Sequence, residues 1–181
     1  MSHDGKILDA HSVRFERLLP GPIEFAWDYL TKPELLKTWF AEVTLQPRVG
    51  GAIEVTMGAD EAGDCNASSV SGTIREFNPP HVIAYTWVPR RRQADGSVVA
   101  VDEGEVRFEL KPRGDKVQLT LTHTRIPTNE LAGYGGGWHA FLDVLEARLD
   151  KRTDVSVDAV YVEVHKYYEA AVAAATRSGA A

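Results

Sequence analysis

The sequence predicts an α+β fold in which a curved antiparallel sheet of about six to seven strands is wrapped around one long C-terminal helix. Alternating apolar and polar residues recur through the middle of the chain, two short helical stretches follow the first such run, and a long amphipathic stretch follows the last. With 181 residues, of which 44% are hydrophobic, the chain is long enough to bury one core and is predicted to fold alone.

The first strand is predicted at residues 11–19, where Val13 and Phe15 lie on one face of an extended chain. The next stretch begins with Pro22, a residue suited to the first turn of a helix. Pro33 then divides this stretch into two short helices, because proline cannot continue a helix from the preceding residue.

Paired strands are predicted on either side of three turns, at 48–51, 78–80 and 113–115. The last pair carries the clearest signal, because Val106, Phe108 and Leu110 alternate with polar residues in the manner of a half-buried strand. A polar arm that begins with three arginines separates the second and third pairs and is interpreted as a solvated hairpin tip.

The long helix is predicted in "YGGGWHAFLDVLEARL", residues 134–149, where the three glycines are interpreted as a bend that leads into the helix. Its apolar stripe consists of Trp138, Phe141, Leu142, Leu145 and Leu149. A second stripe, which includes Val157, Val164, Tyr168 and Val172, predicts a further helix. We therefore expect a single domain over 1–152 and a C-terminal helical extension of the same domain over 153–181.

Charge and composition exclude several classes of protein. The net charge of −6 argues against nucleic acid as a partner, because binding to phosphates needs a basic surface. No apolar run reaches the length of roughly 20 residues that a membrane helix needs, and the first residues do not form a signal peptide, so a cytoplasmic protein is expected. Cys65 is the single cysteine, lies in a predicted loop, and cannot form an intramolecular disulfide.

The sequence carries no motif typical of a metal, cofactor or catalytic site. The histidines, at positions 3, 11, 81, 123, 139 and 165, show no spacing typical of a metal site. The glycine-rich "GYGGGW" has no Lys-Ser/Thr that would contact a phosphate and its magnesium ion. Neither a metal nor a cofactor is predicted, and no set of catalytic residues is evident.

Several stretches together resemble a known family: "FERLLPGPIEFAWDYLTKPELLKTWF", "GGAIEV", "GTIREFNPPHVIAYTW", "VRFELKPRGDKVQLTLTHT" and "GGGWHAFLDVLEARL". They are similar, over roughly residues 11–150, to the activator of heat-shock protein 90 ATPase homologue (AHSA-like) family of the START-like, polyketide-cyclase-like (SRPBCC) superfamily. The resemblance implies a helix-grip fold with an apolar cavity between sheet and helix, and a link to the stress response. The eukaryotic co-chaperones of this name carry an additional N-terminal domain for which this chain has no room, so a co-chaperone role is not expected.

The candidate ligand-pocket residues follow from this fold. They are Trp39, Phe40, Ile74, Tyr85, Trp87, Phe108, His123, Trp138, Phe141, Leu142 and Leu145. Aromatic residues that carry one polar atom, such as Tyr and Trp, suit a pocket that orients a mostly apolar ligand. Core packing is the alternative for each of them, and for His123 a hydrogen-bonded core histidine is the commoner arrangement. His139 and Asp143, four residues apart, are predicted to pair on the solvated face of the helix.

Three functions stay open on the sequence alone. The first is binding of a small hydrophobic or aromatic molecule without catalysis. The second is a protein-interaction module, either a chaperone partner or a homodimer that uses the stripe of 157–172. The third is an enzyme that resembles the cyclases or hydrolases of the superfamily, in which His123 or a cavity carboxylate such as Glu76 moves a proton.

Overall fold

A computed structural model describes residues 5–57, 68–92, 98–100 and 103–178. These residues form an antiparallel sheet and four α-helices, the α+β arrangement that the sequence predicts. Cys65 and the tip of the arginine-rich arm lie outside the described residues.

Two short helices separate the second strand from the third, and two long helices follow the last strand. The strands are β1 (Lys6–Asp9), β2 (Ser12–Pro20), β3 (Glu42–Leu45), β4 (Ala52–Met57), β5 (Ser68–Asn78), β6 (Val82–Arg92), β7 (Val98–Ala100), β8 (Gly104–Arg113) and β9 (Lys116–Thr124). The helices are α1 (Ile23–Thr31), α2 (Pro33–Leu36), α3 (Leu131–Leu149) and α4 (Val157–Ser178), and a short 3-10 helix spans Thr128–Glu130.

The strands pair in the order β1-β2-β9-β8-β6-β5-β4-β3, and β7 pairs with β6. The described residues thus contain nine strands, more than the six to seven expected. The additional strands are β1 and β7, of four and three residues. Both are too short to show the alternation from which a strand is recognised in a sequence.

The inner face of the sheet carries the core. Val13 of β2 pairs with His123 of β9, and Phe15 pairs with Leu121, so that these side chains form one buried layer. Helix α3 crosses this face with Leu142 and its other apolar residues buried against it. Burial of a leucine side chain contributes about 1.5–3 kcal/mol. The sheet and α3 therefore stabilise each other in the way that the helix-grip prediction requires.

The glycines before Trp138 do not form a bend, and that prediction is wrong, because α3 continues through them from Leu131. Their role is close packing against α4. A Cβ atom on Gly135 would lie 2.5 Å from Cδ1 of Tyr168, and one on Gly136 would lie 3.0 Å from Cε2 of Tyr161. The absence of a side chain at these positions lets two tyrosine rings of α4 approach the backbone of α3 closely.

Helix α4 packs along α3 with its apolar stripe turned inward. Tyr168 is fully buried, and Val157, Val164 and Val172 are partly buried against the core. The stripe proposed as a homodimer surface is therefore occupied within the chain. In the described part of the chain, no helix combines the length and the apolar character needed to cross a membrane.

Candidate ligand-binding site

A cavity of about 580 Å³ lies where β4, β6, α3 and α4 approach one another. We call it the main cavity. Its lining comprises Phe40, Met57, Trp87, Asn129, Glu130, Ala132, Gly133, Tyr134, Gly137, Trp138, Phe141, Tyr161, His165 and Glu169. The sheet contributes one side, the N-terminal half of α3 another, and α4 a third.

Aromatic rings form the apolar wall of the main cavity. Phe40 stacks on Trp138 with ring centroids 5.3 Å apart, and Phe141 meets Phe40 edge to face at 5.0 Å. Trp87 lies 5.7 Å from Trp138 and continues the cluster into the sheet. Because each ring is held by others, the wall is preorganised and would lose little side-chain entropy when a ligand binds.

Phe40 reaches this wall because the segment after α2 is anchored. The indole Nε1 of Trp39 donates a hydrogen bond to the backbone oxygen of Tyr29 at 2.9 Å, which ties the segment to α1. Trp39 itself is buried, and its ring stacks on that of Phe40 at 5.4 Å. Trp39 therefore supports the wall from behind.

Polar side chains lie on the opposite side of the main cavity. His165 stacks on Tyr161 with centroids 4.9 Å apart, and its Nε2 lies 3.4 Å from Oε1 of Glu169. Asn129 and Glu130 contribute from the 3-10 helix. The arrangement of an aromatic wall opposite a few polar groups is typical of sites that orient a largely apolar ligand.

The residues predicted for the pocket divide into two groups in the structure. Phe40, Trp87, Trp138 and Phe141 line the main cavity. Most of the others are buried in the core: Trp39, Ile74, Tyr85, Phe108, Leu142 and Leu145. Burial also raises the pKa of the Tyr85 phenol, which keeps it neutral.

Sequence reasoning missed the contribution of α4. Tyr161, His165 and Glu169 line the main cavity, although the prediction treated this segment only as an extension. Their spacing of four residues places them on one helical face, which is a usable signal. Gly133 and Gly137 were also missed. A glycine leaves space open in a cavity because it has no side chain, and this effect has no pattern in the sequence.

A second, smaller chamber of about 220 Å³ adjoins the main cavity. The two spaces share the residues Trp87, Asn129, Glu130 and Tyr134. The hydroxyl of Tyr134 accepts a hydrogen bond of 3.0 Å from Nε1 of Trp87, and this pair forms the partition between them. The rest of the small chamber is lined by Pro89, Gly104, His123, Arg125, Ile126 and Pro127.

His123 is held in one protonation state and one orientation. Its Nδ1 lies 3.0 Å from Nε1 of Trp138. An indole nitrogen is only a donor, so Nδ1 accepts this hydrogen bond and the proton of the neutral ring is on Nε2. Burial, helped by the charge of Arg125, lowers the pKa of His123 to about 3. His123 is therefore a neutral donor at physiological pH.

The carboxylate of Glu76 does not lie in a cavity, and that hypothesis is wrong. Strict alternation along β5 would place Glu76 on the inner face with Ile74, but the pairing with β6 shifts register between these residues. This bulge turns Glu76 to the outer face. There it forms a salt bridge with Arg107, whose hydrogen bond lowers the pKa of Glu76.

The predicted pair of His139 and Asp143 forms, but it is mostly buried, with the Asp143 side chain 27% exposed. His139 is only 5% exposed, and its Nε2 lies 3.4 Å from Oδ2 of Asp143. The sequence does not show the reason, which is that Arg17 of β2 reaches the same carboxylate and Tyr168 of α4 contacts the His139 ring.

An antiparallel sheet that curves around one long helix, with a cavity beside the helix, defines a START-like protein of the helix-grip class. The model of the family described as "Activator of Hsp90 ATPase homolog 1-like protein" matches residues 20–150. The chain belongs to this family, as its sequence blocks indicate, and no curated protein matches it significantly.

Solved structures share the fold. The protein encoded by gene BPP1335 of Bordetella parapertussis is 31% identical with a TM-score of 0.69, and the alignment covers 93% of this chain and 90% of that one. CalU16 from Micromonospora echinospora is 23% identical with a TM-score of 0.69, over 89% and 88% of the two chains. DynU16, from the dynemicin biosynthetic locus, is 20% identical with a TM-score of 0.63, over 77% and 47%.

Proposed function

We propose that the protein binds a small, mostly apolar aromatic molecule in the main cavity. The observation that carries this proposal is the cluster of Phe40, Trp138 and Phe141 beside open space of about 580 Å³. Such a volume falls in the range of about 300–1,000 Å³ found for small-molecule sites. The polar groups opposite the cluster support a ligand that also carries one or two polar atoms.

Binding without catalysis is favoured over a cyclase or hydrolase. Nδ1 of His123 already accepts the hydrogen bond from Trp138, so this nitrogen is not free to remove a proton from a substrate. Glu76 is engaged by Arg107 on the outer face of the sheet. Both groups proposed for proton transfer therefore have other roles.

Residues 153–181 belong to the same domain in this proposal. Their helix α4 supplies Tyr161, His165 and Glu169 to the lining of the main cavity. We therefore regard the segment as an extension that completes the ligand site. The alternative of a protein-interaction module would use the outer face of α4, where Val162 is 76% exposed and Tyr167 is 47% exposed.

The proposal is tested with a variant whose new side chain occupies the main cavity. Gly137 lines the cavity, and a Cβ atom placed on it meets nothing within 4 Å, so Gly137→Leu directs a side chain into empty space. Gly137→Ala is the matched control, because it also replaces glycine by a good helix former but adds only a methyl group. Binding of 2-acetylnaphthalene is followed through the NMR signals of the indole N–H groups of Trp87 and Trp138.

We expect saturable shifts of both indole signals in the wild type and in Gly137→Ala. In Gly137→Leu the affinity should fall by at least about tenfold, equivalent to about 1.4 kcal/mol. Equal affinity in Gly137→Leu and Gly137→Ala would show that the probe binds elsewhere, and a wild type that does not respond at all would contradict the proposal.

A further inference from the structure

We infer that the small chamber is a polar subsite of the main cavity, and that it takes a neutral hydrogen-bond acceptor, such as a ketone oxygen, carried by the aromatic ligand. This inference rests on the proposed function, because the apolar part of the same molecule occupies the main cavity. It assigns a ligand class: a flat apolar ring system with an uncharged carbonyl group at one end.

The donor is Nε2 of His123. Its ring proton is placed there by the hydrogen bond from the indole of Trp138 to Nδ1, so the free side of the imidazole presents N–H and not a lone pair. Nε2 lies beside Gly104, where an added Cβ atom would be 3.0 Å from it. Both His123 and Gly104 line the small chamber, so the N–H side of the ring borders that space.

The charges around the small chamber favour a neutral group. Arg125 and Glu130 line it with opposite charges, and Arg125 is engaged by the backbone oxygen of Glu103 at 3.1 Å and by the carboxylate of Glu105 at 3.7 Å. An anionic head group would meet an arginine that already has the Glu105 carboxylate and a backbone carbonyl as partners, together with a second carboxylate from Glu130. A carbonyl oxygen needs no counter-charge and satisfies the single N–H of His123.

The movable member of the partition between the two spaces is Tyr134, which is held there by its hydrogen bond with Trp87. The ring of Tyr134 lies 4.7 Å from that of His123, and its hydroxyl bonds to Trp87. Tyr134 belongs to the first turns of α3, with Gly133 and Gly135 on either side. Rotation of this side chain joins the two spaces, and the carbonyl group of a ligand in the main cavity then reaches His123.

Three probes of one shape test the inference. They are 2-acetylnaphthalene, which carries a ketone, 2-ethylnaphthalene, which has no hydrogen-bond acceptor, and 2-naphthoate, which carries an anionic carboxylate. Affinities are measured by NMR titration of wild type, Gly137→Leu and His123→Phe. We expect the ketone to bind about three- to tenfold more tightly than the hydrocarbon, as one hydrogen bond allows, and more tightly than the carboxylate. In His123→Phe the ratio of ketone to hydrocarbon affinity should fall to about one.

The tautomer gives a second measurement, on the wild type alone, which covers the case in which His123→Phe does not fold. Long-range ¹⁵N–¹H correlation should show the proton of His123 on Nε2, and this signal should shift with the ketone and not with the hydrocarbon. Equal affinities that are all lost in Gly137→Leu would overturn the inference and leave the proposed function standing. Tightest binding by the carboxylate would also overturn it, and binding by none of the three would overturn both.

Discussion

Nη2 of Arg17 lies 3.2 Å from Oδ1 of Asp143, inside the interface between the sheet and α3. The Arg17 side chain is only 1% exposed, and within the described part of the chain its Nε has no hydrogen-bond partner. The other oxygen of Asp143 faces His139, whose Nδ1 lies 2.9 Å from the Tyr168 hydroxyl. Arg17 is thus a buried charge for which Asp143 is the counter-ion, in a polar chain that extends to α4.

Asp143→Ala should strongly destabilise the protein, because it leaves the Arg17 charge buried without a partner. Loss of one member of a buried pair costs about 3–5 kcal/mol. Asp143 is 27% exposed, so solvent screening should reduce the cost to just below this range, about 2–3 kcal/mol. Urea denaturation measures the change in the free energy of unfolding.

The control for this variant is Asp28→Ala, which removes an exposed partner of Lys32 and should change stability very little. Burial opposes ionisation of Asp143, but the hydrogen bond and charge of His139 and the charge of Arg17 outweigh it and lower its pKa. The ionised carboxylate therefore stabilises the fold above its unfolded pKa of about 3.9, and this contribution is lost as the pH falls through the lower folded pKa. Similar urea midpoints for the two variants would contradict the role assigned to Arg17.

Stability should also depend on pH through His123, in a different range. Burial keeps His123 neutral in the folded protein down to a pKa of about 3, whereas the unfolded chain binds a proton near pH 6.5. The unfolded state therefore binds more protons, and stability falls as the pH is lowered from 6.5 towards 3. We expect a slope of up to about 1.4 kcal/mol per pH unit.

The difference in unfolding free energy between wild type and His123→Phe, measured from pH 7 to 4.5, isolates this contribution. The variant should be less stable than the wild type at pH 7, because the Trp138 indole loses its acceptor. As the pH is lowered from 7 to 4.5, the unfolding free energy of His123→Phe should fall less than that of the wild type. Parallel pH profiles for the two proteins would show that His123 is accessible to protons in the folded state.

Glycines only two residues apart in α3 should respond in opposite directions to alanine. At Gly135 the added methyl group meets the Tyr168 ring at 2.5 Å, and overpacking of this kind costs about 1–3 kcal/mol. At Gly133 nothing lies within 4 Å, so Gly133→Ala should stabilise the helix by about 0.5–1 kcal/mol. Thermal and urea unfolding compare the two variants, and a loss of the same size at both positions would exclude packing against α4 as the cause.

Tyr168→Phe should loosen the attachment of α4 without removing a ring from the core. The hydroxyl accepts a hydrogen bond of 2.6 Å from the backbone N–H of Gly5 and also contacts His139. Its removal leaves buried polar groups without this partner, at a cost of about 1–3 kcal/mol. Hydrogen exchange should accelerate in α4 and β1 more than in β8. Tyr167→Phe, at an exposed position, serves as the control, and equal exchange in both variants would contradict this assignment.

The fold was largely predictable because its signals are local. Alternation in β8 and β9, and the apolar stripe of α3, each follow from neighbouring residues, and the order of the elements then permits few arrangements. The aromatic wall was predictable to the same extent, since Phe40, Trp87, Trp138 and Phe141 are large side chains in or beside elements that the sequence predicts.

Two of the features that escaped prediction depend on residues distant in sequence, and a third depends on the register of one strand pair. Arg17 pairs with a carboxylate 126 positions away, and the glycines of α3 are explained only by the tyrosines of α4. The position of Glu76 depends on a single shift of register, which reverses the face of a side chain without leaving a clear mark in the sequence.

If the main cavity binds a ligand as we propose, its third side has a consequence for how ligand preference differs between relatives. The family match ends at residue 150, whereas Tyr161, His165 and Glu169 follow it in α4. The lining of the main cavity is therefore divided between residues that the family model matches and a helix that lies beyond the match. On the proposed function, a change of ligand would then need no change in the sheet or α3, and exchange of α4 between two members of the family should transfer ligand selectivity.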